Sequence, residues 1–561
     1  MFKKAESQIT FGDATFWCSD LVKGDTFYGK MARYGHKWFR DEDYEKLYSA
    51  SGRGRASVPP SVMIGALVLQ NYDKISDREL ADRMTYDLRY KAALRLPLDF
   101  PGVDPSLFSV FRARLLNHEL EALALERSLE RARQSVVISR TEQQAVDSIP
   151  ILGAAAVQDT YTLMRTSIEK ILWAIGRQRK DWKGSRGFQY PFQKERYLGK
   201  KRGKPDIDWH DHQAKLAYLK ELLSDARLLV RAIDASGMKD SDQVAVHCQL
   251  LRQIIAQDLQ LTPAAILIAG HCQLFAVAGL IQGLALPLGL GFSEGQRLLS
   301  VWIKKATSDR ILSTNDPEMR HGHKSKSKLF DGYKGHFTVS VETELVTGVE
   351  ITAANVADNA PLVSMVDKLL LRGLYPGRLF GDGAYGSGEC RAELAARGIE
   401  MYSRLPVRAS SNLFPKSDFI INTVNMSVTC PAGHTVVEFR QTKDGKGRPV
   451  PYFEFPVGLC RGCSMHDSCV SGQTRGRRLT LNYHEEQLQN ARIQNEAPEF
   501  RQEYKKRLVV ERVQSRLKDY SLRVARYFGV KKVRLQALFA ATANNFWRVT
   551  TILEKQAAMA S

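Results

Sequence analysis

Gly377-Arg378-Leu379-Phe380-Gly381-Asp382-Gly383-Ala384-Tyr385-Gly386 reads as a strand that ends on an acid held between glycines. Downstream, a helix is expected at Glu389 to Arg397 and another strand at Ile399 to Leu405. Upstream, the run Gly332 to Val341 and the run Val346 to Thr352 alternate well enough for a hairpin, and a helix follows at Ala360 to Arg372. A hairpin followed by β-α-β makes a mixed sheet with helices packed on it. Further back, Ala145-Val146-Asp147-Ser148-Ile149-Pro150 reads as a short buried strand with one acid near its end.

The rest of the chain is mostly helical text. Val58-Pro59-Pro60-Ser61 opens one helix, with Ser61 as its expected cap, and Ser76-Asp77-Arg78-Glu79 is a capping box that starts a second. Asp104-Pro105-Ser106 starts a third, Leu107 to Leu116, whose periodicity exposes Arg112 and Arg114. This cluster is either a helix-turn-helix type DNA reader or a plain bundle. Ile168 to Ile175 and Leu216 to Ile233 are amphipathic. Between them, Lys183 to Lys204 is strongly basic, with Trp182, Phe188, Tyr190, Phe192 and Tyr197 in or beside it, which suits either nucleic-acid contact or a solvated loop.

At 561 residues the chain is too long for a single core, so several domains or insertions are expected. Lys plus Arg is 81 against 61 Asp plus Glu, a formal charge of +20, which favours a polyanionic partner, nucleic acid first among them. Met1-Phe-Lys-Lys is followed by mixed polar text, so no secretory signal is read and a cytoplasmic, nucleoid-associated location is expected. Thr262 to Ser293 carries no charged residue and is long enough to span a bilayer. Its prolines, glycines, His271, Gln273 and Gln282 fit a buried helical hairpin, and no membrane association is expected.

Four of the eight cysteines crowd together as Cys430-Pro431-Ala432-Gly433-His434 and Cys460-x2-Cys463-x5-Cys469. Four thiolates so spaced suit a tetrahedral structural Zn2+ site, in which His434 or His466 can replace one ligand; a set of reduced, unliganded thiols is the alternative. Cys18, Cys248, Cys272 and Cys390 are scattered and read as structural.

The segment from Glu499 to Lys518 reads as a long helix. Tyr504, Arg507, Glu511 and Lys518 are confined to an arc of roughly 60° of it, opposite Val509, Val510, Val513 and Leu517. Arg507 and Glu511 are spaced as an ordinary surface ion pair. Yet two-metal phosphodiester chemistry needs carboxylates that converge on divalent ions, and Asp147, Asp382 and Glu511 are the acids placed to supply them.

Tyr504-x2-Arg507-x3-Glu511-x6-Lys518 matches in full the Y-x2-R-x3-E-x6-K signature of bacterial insertion-sequence transposases of the DDE class, and the chain resembles that family. Asp147-Ser148 is similar to the family's first acid, Gly381-Asp382-Gly383-Ala384-Tyr385 to its second, and Gly332-Tyr333-Lys334 to the start of its second strand. Asp104 to Arg112 and Asp316 to Gly322 also resemble family text. The resemblance implies an RNase H-like catalytic core that binds terminal inverted repeats of double-stranded DNA, cuts at the element ends and joins the freed 3′-hydroxyls to target DNA. It also implies Mg2+ or Mn2+ on Asp147, Asp382 and Glu511, DNA contact by Tyr504, Arg507 and Lys518, and a homodimer or higher homo-oligomer.

Asp316 rivals Asp147 as the first acid, but it lies just ahead of the second strand rather than on the first. The expected fold is α/β: an RNase H-like mixed sheet with flanking helices, preceded by an all-α N-terminal domain. The expected layout is a helical DNA-binding domain at 1–135, the first core strand at 136–153, a large helical insertion at 154–310, the continued core at 311–410, a cysteine-rich β insertion at 411–496, and closing helices at 497–561. The alternative is a catalytically inactive or domesticated zinc-containing DNA-binding protein.

Overall fold

The computed structural model describes residues 2–5, 11–18, 20–48, 57–181, 188–198, 205–236, 238, 241–263, 299–303, 307–325, 327–405, 413–470 and 475–560. Most of the apolar run 262–293, and with it Cys272, lies outside the described residues, as do parts of the basic run 183–204. Among the described residues no helix is long and apolar enough to cross a membrane.

The fold is a mixed α/β arrangement built around β1 (Gln144–Leu152). Ala145, Val146, Ile149 and Ile151 are all buried, so both faces of the strand are covered. Among the described residues, two short strands, β2 (Leu259–Pro263) and β3 (Leu299–Ile303), pair only with each other. The central sheet continues with β4 (Arg320–Ser325), β5 (Lys328–Ser340), β6 (Val346–Ala353), β7 (Arg378–Phe380) and β8 (Glu400–Tyr402). β5 lies antiparallel to β1, to β6 and to β4, whereas β7 runs parallel to β1 and β8 parallel to β7.

Parallel neighbours need crossovers, and here these are the helices Leu362–Leu371, between β6 and β7, and Gly388–Ala395, between β7 and β8. Leu362, Val366 and Leu394 cover the Val146 face of the sheet. On the other face, Val509, Val510, Val513 and Leu517 pack over Ala145, Ile149 and Ile151. Each such side chain removed from water contributes on the order of 1.5–3 kcal/mol.

The amino-terminal helices Pro60–Asp73, Asp77–Tyr86, Leu88–Ala93, Ser106–Asn117 and Leu123–Gln134 do not close a core alone. They share it with Leu535, Phe539, Phe546 and Val549 of the last helix, Val530–Ala560. The helices Thr160–Asp181, His212–Asp234 and Asp242–Asp258 form a separate core, which Tyr197 enters fully buried. The cysteine region holds two three-stranded sheets, β9 (Ile420–Asn422), β10 (Ser427–Thr429) and β11 (Thr435–Val436), then β12 (Phe439–Lys443), β13 (Pro449–Glu454) and β14 (Arg478–Thr480). They meet around Phe419, Val428, Phe453 and Phe455.

Four details differ from the sequence expectation. Pro60 takes the first helical position after Pro59, and Ser61 is no cap; its N–H instead donates to Asp41 Oδ1 at 2.7 Å. Arg112 is buried in an ion pair with Asp77, since the face that carries it meets another helix rather than solvent. The segment 499–518 is not one regular helix, because a 3-10 turn at Lys505–Arg507 separates Phe500–Tyr504 from Leu508–Leu517. Asp147 sits in mid-strand, because pairing with β5 carries β1 on to Leu152. The capping box at Ser76 forms as expected, its hydroxyl accepting from the Glu79 N–H.

Candidate active site

Strand register brings the first two acids together. Ala145 of β1 lies level with Phe380 of β7, and Asp147 and Asp382 each follow two residues later along parallel chains. Asp147 points to the sheet face that carries Ala145 and Ile149, since side chains alternate along a strand. Asp382 stands just beyond the end of β7 and caps the short turn Gly383–Tyr385, its Oδ1 accepting from the Ala384 N–H at 2.9 Å. The helix Leu508–Leu517 lies on the Asp147 face and brings Glu511.

Arg507 ties the third acid to the first. Its Nη2 donates to Glu511 Oε1 at 2.7 Å, and its Nη1 lies 3.8 Å from Asp147 Oδ2. Asp147 is raised to about 6, chiefly by burial and further by the charges of Asp382 and Glu511, while Arg507 and the Ser148 N–H act against the rise. Three carboxylates thus share one electrostatic neighbourhood, with a guanidinium against two of them. Among the described residues no three His, Cys, Asp or Glu side chains converge at metal-ligand spacing. At the carboxylates, Arg507 takes the positive position between Asp147 and Glu511.

Tyr504 and Lys518 border the same place. Burial raises the Tyr504 phenol, with Asp382 and Asp147 adding to the effect and Arg507 and Arg404 opposing it. Burial lowers the Lys518 ammonium, as do Lys324 and Arg523, and Asp147 counteracts them. Two neighbours escaped the sequence reading. Arg404 lies over the Tyr504 ring at 5.1 Å, and Tyr504 stacks on Phe500 at 5.3 Å. Asp358, on the loop after β6, accepts from Ser148 Oγ at 3.1 Å and pairs with Lys334 at 2.9 Å. Neither has a local motif, because each is brought in by the sheet topology.

Asp316, the rival acid, is wholly buried and accepts from the Tyr333 hydroxyl and from the Gly529 N–H at 3.2 Å. It fastens β5 to the start of the last helix. The four clustered cysteines, with His434 and His466, line one pocket of the small double-sheet region, and none forms a disulfide. Backbone N–H groups of Arg477 and Met465 point at Cys460 Sγ and Cys463 Sγ, at 3.5 Å and 3.4 Å. His466 Nε2 is buried without a hydrogen-bond partner. Cys18, Cys248 and Cys390 are buried singly.

Residues 429–550 match the transposase DDE domain family, and residues 17–114 match the transposase domain family DUF772. The first match covers the four clustered cysteines and Glu511; the second covers the amino-terminal helices as far as Arg114, within Ser106–Asn117, and not Leu123–Gln134. No curated protein and no solved structure matches the chain.

Proposed function

We propose that this insertion-sequence DDE transposase, supported as such by both domain matches, binds the terminal inverted repeats of its element, cuts phosphodiester bonds at the ends and transfers the freed 3′-hydroxyls to target DNA. The observation that carries this reading is the common register of Asp147 and Asp382, with Glu511 joined to Asp147 through Arg507. The strand order β6-β5-β1-β7-β8, with only β5 antiparallel, supports an RNase H-like core.

The donor set fits a divalent cation: three oxygen-bearing acids lie around a place now neutralised by one guanidinium. Asp147, Asp382 and Glu511 would hold Mg2+ or Mn2+, which supplies Lewis-acid stabilisation of phosphoryl charge and helps activate the attacking oxygen. Arg507 takes up a DNA phosphate with its fork of donors and so releases Asp147 and Glu511. Lys518 adds a point charge beside the same strand. Tyr504, flanked by Arg404, offers a stacking face at the site.

The cysteine pocket serves as a structural Zn2+ site, supported by four free thiols in one place and N–H groups aimed at two of the sulfurs. The amino-terminal helices, their core completed by the last helix, act as the end-binding part of a dimer or larger assembly. A supercoiled plasmid that carries the element ends is the test. With magnesium it is nicked or broken at the ends; specific binding with persistent absence of nicks refutes catalysis.

A further inference from the structure

β1 is paired on both edges only as far as Ala145. On the β7 side the pairing stops at the Ala145–Phe380 level, whereas on the β5 side it continues through Asp147–Phe337 and Ser148–His336. Among the described residues, Asp147 and Ser148 therefore have one free edge. Asp147 partly satisfies that edge itself, its Oδ1 accepting from the Ser148 N–H at 2.8 Å.

The other face of the strand supplies the rest. Ser148 points away from Asp147 and donates to Asp358 Oδ1 at 3.1 Å; the same oxygen pairs with Lys334 Nζ at 2.9 Å. Lys334 is itself buried and also donates to the Val356 carbonyl at 2.9 Å, so the anchor is fixed to β5 and to the loop after β6. Tyr385 lies beside this arrangement. It is 1% exposed, its hydroxyl lies beside Ser148 without a well-formed hydrogen bond, and the charges of Asp147, Asp358 and Asp382 all act on it. A buried hydroxyl without a well-formed hydrogen bond is uncommon in a folded protein and calls for an explanation.

We infer that Ser148, Asp358 and Tyr385 are positioning residues that hold the Asp147 carboxylate from behind, Asp358 through Ser148 and Tyr385 through its hydroxyl. With a cation held by the carboxylates, the Tyr385 O–H would be available to the Asp147 carboxylate, while the Asp358–Ser148 clamp keeps β1 from shifting at its free edge. This rests on the reading of Asp147, Asp382 and Glu511 as the cation-holding set. Groups that orient ligands are the ones whose loss weakens a site without removing a ligand.

The test uses the full chain with Tyr385→Phe and Asp358→Asn, and Asp147→Asn as reference. Mn2+ binding is followed by the loss of the free-ion magnetic resonance signal, and single-turnover cleavage of an end duplex is measured at saturating Mn2+. Tyr385→Phe removes a single buried hydroxyl that makes no well-formed hydrogen bond, so the fold is retained and thermal unfolding is not lowered. Both variants are expected to lose about 10–100-fold in Mn2+ affinity or cleavage rate, with end binding in the absence of metal changed by less than about twofold. If Asp147→Asn loses Mn2+ while Tyr385→Phe and Asp358→Asn keep wild-type affinity and rate, the support role is refuted and the site stands. If Asp147→Asn binds Mn2+ as well as the wild type does, the site reading fails and the support role falls with it.

Discussion

Replacing Arg112 by Met separates two roles for the amino-terminal helices. Sequence periodicity exposes this arginine, which would make it a DNA contact; in the structure it is 8% exposed and forks onto Asp77 with bonds of 2.9 Å and 2.6 Å. Its guanidinium also lies 4.9 Å from the centre of the Tyr527 ring. Burial alone would raise the Asp77 carboxyl, but Arg112 and the Gln70 amide outweigh that and hold it below the usual range. Breaking a buried pair costs about 3–5 kcal/mol, and an exposed pair is worth about 1 kcal/mol or less. The Asp77 side chain is 29% exposed, so we set the loss between these limits, at about 2–3 kcal/mol with the ring contact included. Urea unfolding read by tyrosine fluorescence measures it, and affinity for an end duplex is measured across a salt series. Arg112→Met is expected to lower stability and to leave both affinity and salt slope unchanged. Unaltered unfolding, together with weaker binding and a salt slope reduced by about one, would show that Arg112 contacts phosphate and refute the structural role.

Glu142 carries a pH signature. Burial, with Glu342 nearby, pushes its carboxyl up to about 7, so the unfolded chain gives up this proton well before the folded one does. Folded stability therefore falls as pH rises from about 4.5 to about 7 and the full loss persists above that, so Glu142→Gln is expected to stabilise by about 2–3 kcal/mol at pH 8 and not at pH 4.5. Unfolding curves at the two pH values check this, and equal gains at both would contradict it. At the cysteine pocket, metal analysis of purified protein is expected to find zinc that Cys460→Ser and Cys463→Ser remove. Protein free of zinc after purification in zinc-containing buffer would leave the four thiols unliganded.

The sheet was legible because its strands carry local signs: alternation in β5 and β6, and the glycines after β7. The Arg507–Glu511 pair was legible because its spacing survives the 3-10 turn just before it, and the ion pair forms. What stayed hidden depends on packing between distant segments. Nothing local to Arg112 announces Asp77, and nothing local to Asp358 announces Ser148, 210 residues away. Asp316 resembled a site acid because it is a conspicuous acid ahead of a strand, but its partners, Tyr333 and Gly529, come from elsewhere in the chain. The amino-terminal helices read as a self-contained unit, yet Phe546 and its neighbours in the last helix complete their core.

We propose that Asp147, Asp382 and Glu511 act as one site. The most direct measurement is metal-dependent cleavage of a labelled end duplex by the wild type and by Asp147→Asn, Asp382→Asn and Glu511→Gln, with end binding measured in parallel. Each substitution is expected to abolish detectable cleavage while end binding persists. Cleavage at the wild-type rate by any of the three would remove that residue from the site, and with Glu511→Gln it would overturn the assignment of catalysis to these three carboxylates.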